Sequence, residues 1–270
     1  IHDSDVPASW RHTVMRYRTG SLYTQKTAYR MKHSLTALCP LCKAPDSAGH
    51  MLGACTHDHI SGLRINRHND AVRHVAKGIR QSELPHIRNA LLHMDAGNTP
   101  DAIIADEGNR VPRWLLPDLD PEIRKKLRPD LLLVTMPNSI NKQAARIEYA
   151  KEQTTIYIIE VGYGPDTRYE ETLLRKQEQH SQLTTLLTQE GWKVCNPTPI
   201  ILGLGGSIYK SSLATLTALG IKKGIALDIL SQIQKQTAHR ASQIVATRRC
   251  LEATMGTGPK GYKWGKPKGG

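Results

Sequence analysis

The chain has 270 residues, with 37 Lys or Arg against 24 Asp or Glu, a formal net charge of +13 and 39% hydrophobic residues. An apolar fraction of that size can bury a real core, which argues against wholesale disorder. No uninterrupted apolar run approaches the ~18 residues of a bilayer span, the longest candidate being the Gly-broken stretch 200–208, so no membrane is expected as a partner. A basic excess instead favours polyanions, because each cation set against a phosphate releases condensed counterions.

The first residues, Ile1-His2-Asp3-Ser4-Asp5, have neither the basic start nor the apolar run of a signal peptide, and the chain reads as a piece of something longer. Residues 1–36 form a basic helical linker in which Arg11, Arg16, Arg18, Lys26, Arg30 and Lys32 alternate with Trp10, Tyr17, Tyr23 and Tyr29. Aromatic faces among cations suit nucleic-acid contact; equally, these rings can be the core side of short helices.

Residues 37–60 hold three of the five Cys, and Cys39, Cys42, His50 and Cys55 stand with two, seven and four residues between them. Two Cys separated by two residues reach one ion from a single tight turn, and three sulfurs with one imidazole complete the tetrahedron that structural zinc prefers. The spacing predicts a zinc knuckle in a reducing, intracellular setting, with His57 and His59 as alternative fourth ligands.

Residues 61–120 read as a helical and loop connector. From Gly62, apolar positions recur at Ile65, His68, Val72, Val75, Ala76 and Ile79, which predicts an amphipathic helix with a basic exterior. Arg64, Arg67, His68, Arg73 and Lys77 are its candidate nucleic-acid contacts. Residues 95–122, rich in Pro, Gly and Asp, read as a connection ending in a short helix over 121–127.

Residues 121–225 alternate strand and helix signals: apolar or β-branched runs at 131–134, 154–161 and 200–204, a weaker strand at 192–195, and one helix over 169–189. The expected class is α/β, with a small mixed sheet flanked by helices and preceded by the zinc knuckle and basic helices. Helices also fit 211–219 and 225–252, the last element occupying 226–255, and 256–270 reads as a disordered basic tail carrying Lys260, Lys263, Lys266 and Lys268.

Asp130 enters the run 131–134 and Glu160 lies near the exit of 154–161. If those strands are antiparallel neighbours, the two carboxylates approach across them and can share Mg²⁺ or Mn²⁺. At 100° per residue, Lys176 falls in the middle of an apolar helix stripe with Leu173, His180, Leu183 and Leu187, while Arg175 points elsewhere. A cation there serves the negative charge that develops in phosphodiester hydrolysis.

The ordered series Arg128-Pro129-Asp130, Ile158-Ile159-Glu160-Val161, and Glu170-Glu171 leading to Lys176, downstream of a Cys-Cys-His-Cys knuckle and of Arg67-His68-Asn69, resembles the C-terminal region of site-specific non-LTR retrotransposon polyproteins. That region carries a restriction-like endonuclease of the PD-(D/E)xK superfamily. The resemblance covers roughly residues 36–225 and implies a nuclease that nicks target DNA in the nucleus, leaving a 3′-hydroxyl from which an upstream reverse transcriptase copies element RNA. It implies Asp130 and Glu160 as Mg²⁺ or Mn²⁺ ligands and Lys176 as the residue that orients water and stabilises the transition state. No Tyr-x-Asp-Asp of a polymerase occurs in this chain.

Three departures from the family pattern stand out. Gly162 occupies the place of the superfamily's simplest Lys, so the Lys comes from the helix; twenty-nine residues separate Asp130 from Glu160, implying an insertion around 136–153; and His180 stands where a Tyr often follows. Glu148 is an alternative second carboxylate and Glu122 an extra acid. The alternative reading is a catalytically inactive zinc-knuckle module that binds DNA or RNA.

Overall fold

The computed structural model describes residues 6–97, 99–101, 111–135 and 148–256, and these build a mixed α/β chain. Part of the expected insertion, 136–147, and the Lys-rich tail beyond Gly256 lie outside the described residues. Among the described residues no helix is long and apolar enough to cross a membrane. The chain divides into two compact units, residues 1–65 with 238–270, and residues 66–237.

The second unit is built on strands β1 (Leu91–Met94), β2 (Leu131–Val134), β3 (Thr155–Ile159), β4 (Val161–Gly164), β5 (Lys193–Cys195) and β6 (Ile200–Gly203). The order β1-β2-β3-β5 makes a mixed sheet, antiparallel except for the β3–β5 pair, and β4 pairs with β6 in parallel as a separate ribbon. β2 is buried on both faces, as its unbroken Leu-Leu-Leu-Val run requires. Leu131 and Leu133 face one apolar cluster with Val72, Ile79, Leu202 and Ile233, while Leu132 and Val134 face the other with Leu183, Leu187 and Trp192. This is the period-2 alternation of a strand sandwiched between two cores.

Several expected elements shift. The single strand over 154–161 divides into β3 and β4 at Glu160, because two ladder donors at that rung are taken by side chains: the Asp130 N–H donates to Glu160 Oε1 (3.1 Å) and the Val161 N–H to Asp130 Oδ2 (2.8 Å). The helix over 169–189 breaks at His180 (φ −113°, ψ 10°) into α7 (Tyr169–Gln179) and α8 (Ser181–Gln189). β1 was not among the expected strands. The connection after it is not all loop either: Val111, Leu115 and Leu116 are buried, and Trp192 Nε1 donates to the Leu115 carbonyl at 2.8 Å. A short helix, α6 (Pro121–Lys126), starts as expected, with Asp120 accepting from the Glu122 and Ile123 N–H groups ahead of Pro121.

The first unit contains α1 (Ala8–Arg18), α2 (Gln25–Arg30), α3 (Ala48–Gly53), the start of α4 (Asp58–Ile79) and the end of α10 (Lys223–Thr254). On α4 Val72, Val75, Ala76 and Ile79 are buried as expected, whereas near its start the buried apolar position is Ile60 and Ile65 is 56% exposed, so the stripe departs from the expected one only there. Among the rings of 1–36, Trp10 stacks on His239, Tyr23 lies under Arg249 and Tyr29 is half exposed. Arg248, fully buried, pairs bidentately with Asp46 (2.8 and 2.6 Å) and reaches Glu252 at 2.7 Å. The two remaining helices, α5 (Pro85–Arg88) and α9 (Lys210–Ala218), complete the second unit.

Candidate active site and zinc centre

The β2–β3 register pairs Leu131 with Ile159, which puts Asp130 and Glu160 on the next rung. Residues opposite each other in an antiparallel pair project to the same side, and here the reciprocal side-chain to backbone bonds lock both carboxylates in place. Lys176 arrives from α7. Its Nζ lies 3.0 Å from Asp130 Oδ2 and 2.9 Å from Glu160 Oε2, with all three residues under 9% exposed. Gly162 makes room for it, since a Cβ there would stand 3.1 Å from Lys176 Cγ and 2.9 Å from Ile201 Cδ1. The glycine is thus the space through which the helix-borne Lys passes.

The outer oxygens are also engaged. His68 Nε2 is 3.2 Å from Asp130 Oδ1 and 3.2 Å from the Val161 carbonyl, and His180 Nε2 is 2.8 Å from Glu160 Oε1. The result is a line of alternating bases and acids: His68, Asp130, Lys176, Glu160, His180. Asp95, just past β1, donates its N–H to the Asp130 carbonyl (3.0 Å) and pairs through Oδ1 with Arg128 (2.8 Å). His68 was expected on a nucleic-acid face and Asp95 was not expected at all; only the β1–β2 pairing, which was not foreseen, brings Asp95 here.

The electrostatics separate the two acids. Burial raises Asp130, but the hydrogen bond and charge of His68, with Lys176, outweigh it and hold the carboxyl well below the usual carboxylate range. Burial lifts Glu160, and the charge of Asp130 adds to that against His180 and Lys176, so the net direction is up. Burial opposes the charged forms of Lys176 and His68 too, yet the neighbouring carboxylates more than restore them, and both are raised. Asp130 is therefore the member of the pair that stays ionised, and Glu160 the one that takes up a proton first.

A cleft of about 430 Å³ opens beside Glu160, Lys176 and His180, walled by the start of α8 and by residues 196–199. Glu122 is exposed and pairs with Lys125, and Glu148 begins a short 3₁₀ segment, Glu148–Gln153, outside the sheet.

The metal-ligand candidates of the first unit converge. One donor atom from each of Cys39, Cys42, His50 and Cys55 lies within 4.8 Å of all the others, and neither His57 nor His59 joins the group. The Cys39 turn is closed by its N–H to the Ala44 carbonyl (2.7 Å), and Ser47 caps α3 by accepting the His50 N–H (2.9 Å). Tetrahedral Zn–S bonds of about 2.3 Å set sulfurs about 3.8 Å apart; Cys42 Sγ and Cys55 Sγ are 3.9 Å apart. The donor set and spacing fit a structural zinc ion. Burial pushes the Cys55 thiol up to about 12, a crowding of sulfurs that a divalent cation relieves by taking them as thiolates.

The expected nucleic-acid contacts are dispersed. Arg64 donates to the Cys55 carbonyl (2.8 Å), Arg67 is 3% exposed with its guanidinium 4.5 Å above the Tyr163 ring, and His68 belongs to the carboxylate line. Arg73, paired with Asp70, and Lys77 are the exposed members of the set. No family model and no curated protein matches the chain.

Proposed function

We propose that the chain is a metal-dependent DNA endonuclease of the restriction-like class, the nicking domain of a site-specific non-LTR retrotransposon polyprotein, with its zinc knuckle aiding nucleic-acid binding. The observation that carries this reading is the buried meeting of Lys176 Nζ with one oxygen each of Asp130 and Glu160, at 3.0 and 2.9 Å. Three charges are rarely buried together without a task, because desolvation opposes each of them.

Two carboxylate oxygens that converge on one cationic point, here the ammonium, are the donor chemistry of a hard divalent ion, so Asp130 and Glu160 would hold Mg²⁺ or Mn²⁺. Such an ion supplies a water of lowered pKa and shields phosphate charge. The chain's own groups do the rest. Asp130, kept ionised by His68, binds as an anion, and His68 fixes its outer oxygen. Lys176 contributes positive charge to the phosphate as it becomes more negative in the transition state. Glu160 is oriented through Oε1, which accepts the Asp130 N–H and faces His180 Nε2, leaving Oε2 beside Lys176.

Nicking of supercoiled DNA by the full chain with Mg²⁺ or Mn²⁺, compared at matched DNA binding with Asp130→Ala and Lys176→Ala, tests this. The expected outcome is metal-dependent nicking, reduced about a hundredfold or more in both variants. Equal nicking by wild type and Asp130→Ala would sink the assignment. Intact DNA or RNA binding by wild type and both variants, with no nicking by any of the three, favours the inactive binding module.

A further inference from the structure

The cleft beside the carboxylates is chemically unlike a phosphate track. Apart from Glu160, Lys176 and His180, the groups of the site itself, the wall is uncharged: Gln177, Ser181, Thr184, Thr185 and Asn196 can hydrogen-bond, beside Ile158, Pro197 and Pro199. A backbone groove for DNA needs repeated cations, and this recess has none beyond the catalytic ammonium. Its volume, about 430 Å³, is that of a small-molecule pocket. His180, one of the wall residues, is 6% exposed, and its Nδ1 is buried without a hydrogen-bond partner. A buried imidazole nitrogen left unpaired is uncommon and points to a group that arrives from outside.

We infer that the cleft receives an unpaired nucleobase adjoining the scissile phosphate, with His180 and Asn196 as its hydrogen-bonding readers. The inference rests on the nuclease reading and deepens it, from DNA in general to DNA with a base withdrawn from the stack at the cut. A duplex groove is read by elements that protrude into it. A neutral recess next to reacting groups takes a base that has left the helix, the arrangement enzymes use when a base must be held singly. Lys176, which lines the recess and pairs with both acids, marks where the attached phosphate lies.

The test uses the full chain without added divalent ion and 2-aminopurine placed as a single-nucleotide bulge in a short duplex, read by fluorescence and anisotropy. Entry of the base changes the 2-aminopurine emission, and replacing that nucleotide by an abasic site weakens binding about tenfold, the loss of one good hydrogen-bonded contact. His180→Ala and Asn196→Ala should each reproduce part of that loss on the base-containing duplex and weaken binding of the abasic one less. Because His180 is buried, Thr185→Trp, an exposed position that would fill the cleft, provides an independent variant. Equal binding of the bulged and abasic duplexes, or an unchanged emission with Thr185→Trp, overturns the inference. The nuclease reading fails separately: base-dependent binding without metal-dependent nicking by wild type would remove the reaction and leave the pocket, whereas nicking indifferent to all three variants would do the reverse.

Discussion

At the scale of single residues, the two histidines that touch sheet and site differ in what protonation does. His68 gains a carboxylate, so its charge is favoured in the folded chain. His93, in the middle of β1 and fully buried, gains nothing comparable, and burial pushes it down to about 4. Its folded pKa lies below the unfolded value of ~6.5, so the folded chain resists taking that proton. Stability should be intact above pH ~6.5 and fall as the pH drops from there towards 4, by about 3 kcal/mol over the whole window. Denaturant midpoints measured from pH 7 to 4 for wild type and His93→Leu check this; parallel pH curves for the two proteins would rule out His93 as the source. Lys176 offers a second residue-level prediction. Lys176→Met leaves two buried carboxylates facing each other, and the cost expected for breaking such a network from one side is about 3–5 kcal/mol; the double variant that also carries Glu160→Gln should recover part of it in thermal unfolding.

At the scale of elements, what was legible followed periodicity, and what was missed followed side-chain to backbone exchange. Four consecutive apolar residues fixed β2 at its observed bounds, and the 100° rule put Lys176 on the buried face of its helix while leaving Arg175 exposed. The antiparallel pairing on which the meeting of Asp130 and Glu160 depended is present. The helix break at His180 was invisible because Thr172, Lys176, His180, Leu183 and Leu187 keep helical spacing across it, so a period reports a face and not the continuity of the backbone. Likewise the end of β3 at Glu160 depends on who accepts two N–H groups, which no pattern of apolar residues records. β1 escaped because four residues with a central His carry too little alternation, and Asp95 escaped with it. Arg67 looked like one more surface cation on a basic helix, and only the position of the Tyr163 ring shows otherwise. The Gly162 position tests the packing of elements directly: Gly162→Ala should crowd Lys176 and Ile201, lowering nicking while leaving DNA binding unchanged, whereas unaltered nicking would show that the Lys has another route to the acids.

At the scale of the whole molecule, the two units depend on different forces. The second has two apolar clusters on either side of one sheet. Around residues 39–55 the first buries Cys39, His50 and Cys55 beside Met51 and Leu52, and an ion held by that cluster would supply folding free energy directly. Removing zinc with a chelator should therefore abolish hydrogen-exchange protection of the Cys39 to Cys55 segment, including the Cys39 and Ala54 amides, while β2 and β3 stay protected. Loss of protection in the sheet at the same chelator concentration would mean that the metal holds both units.

The pairing of Arg248 with Asp46 joins positions 202 residues apart in the chain. On a ribosome adding about 5–20 residues per second, the segment that carries Cys39 to Cys55 emerges roughly 10–40 s before the guanidinium that neutralises Asp46 exists. The sheet of the intervening residues can form within that interval, since all of its strands precede Arg248. The unit that begins first is thus finished last: its early half must wait, with an unpaired acid and unsheltered thiols, for a helix made near the end of synthesis. Chains interrupted before Arg248 carry a complete set of carboxylates and Lys176 but an unfinished first unit.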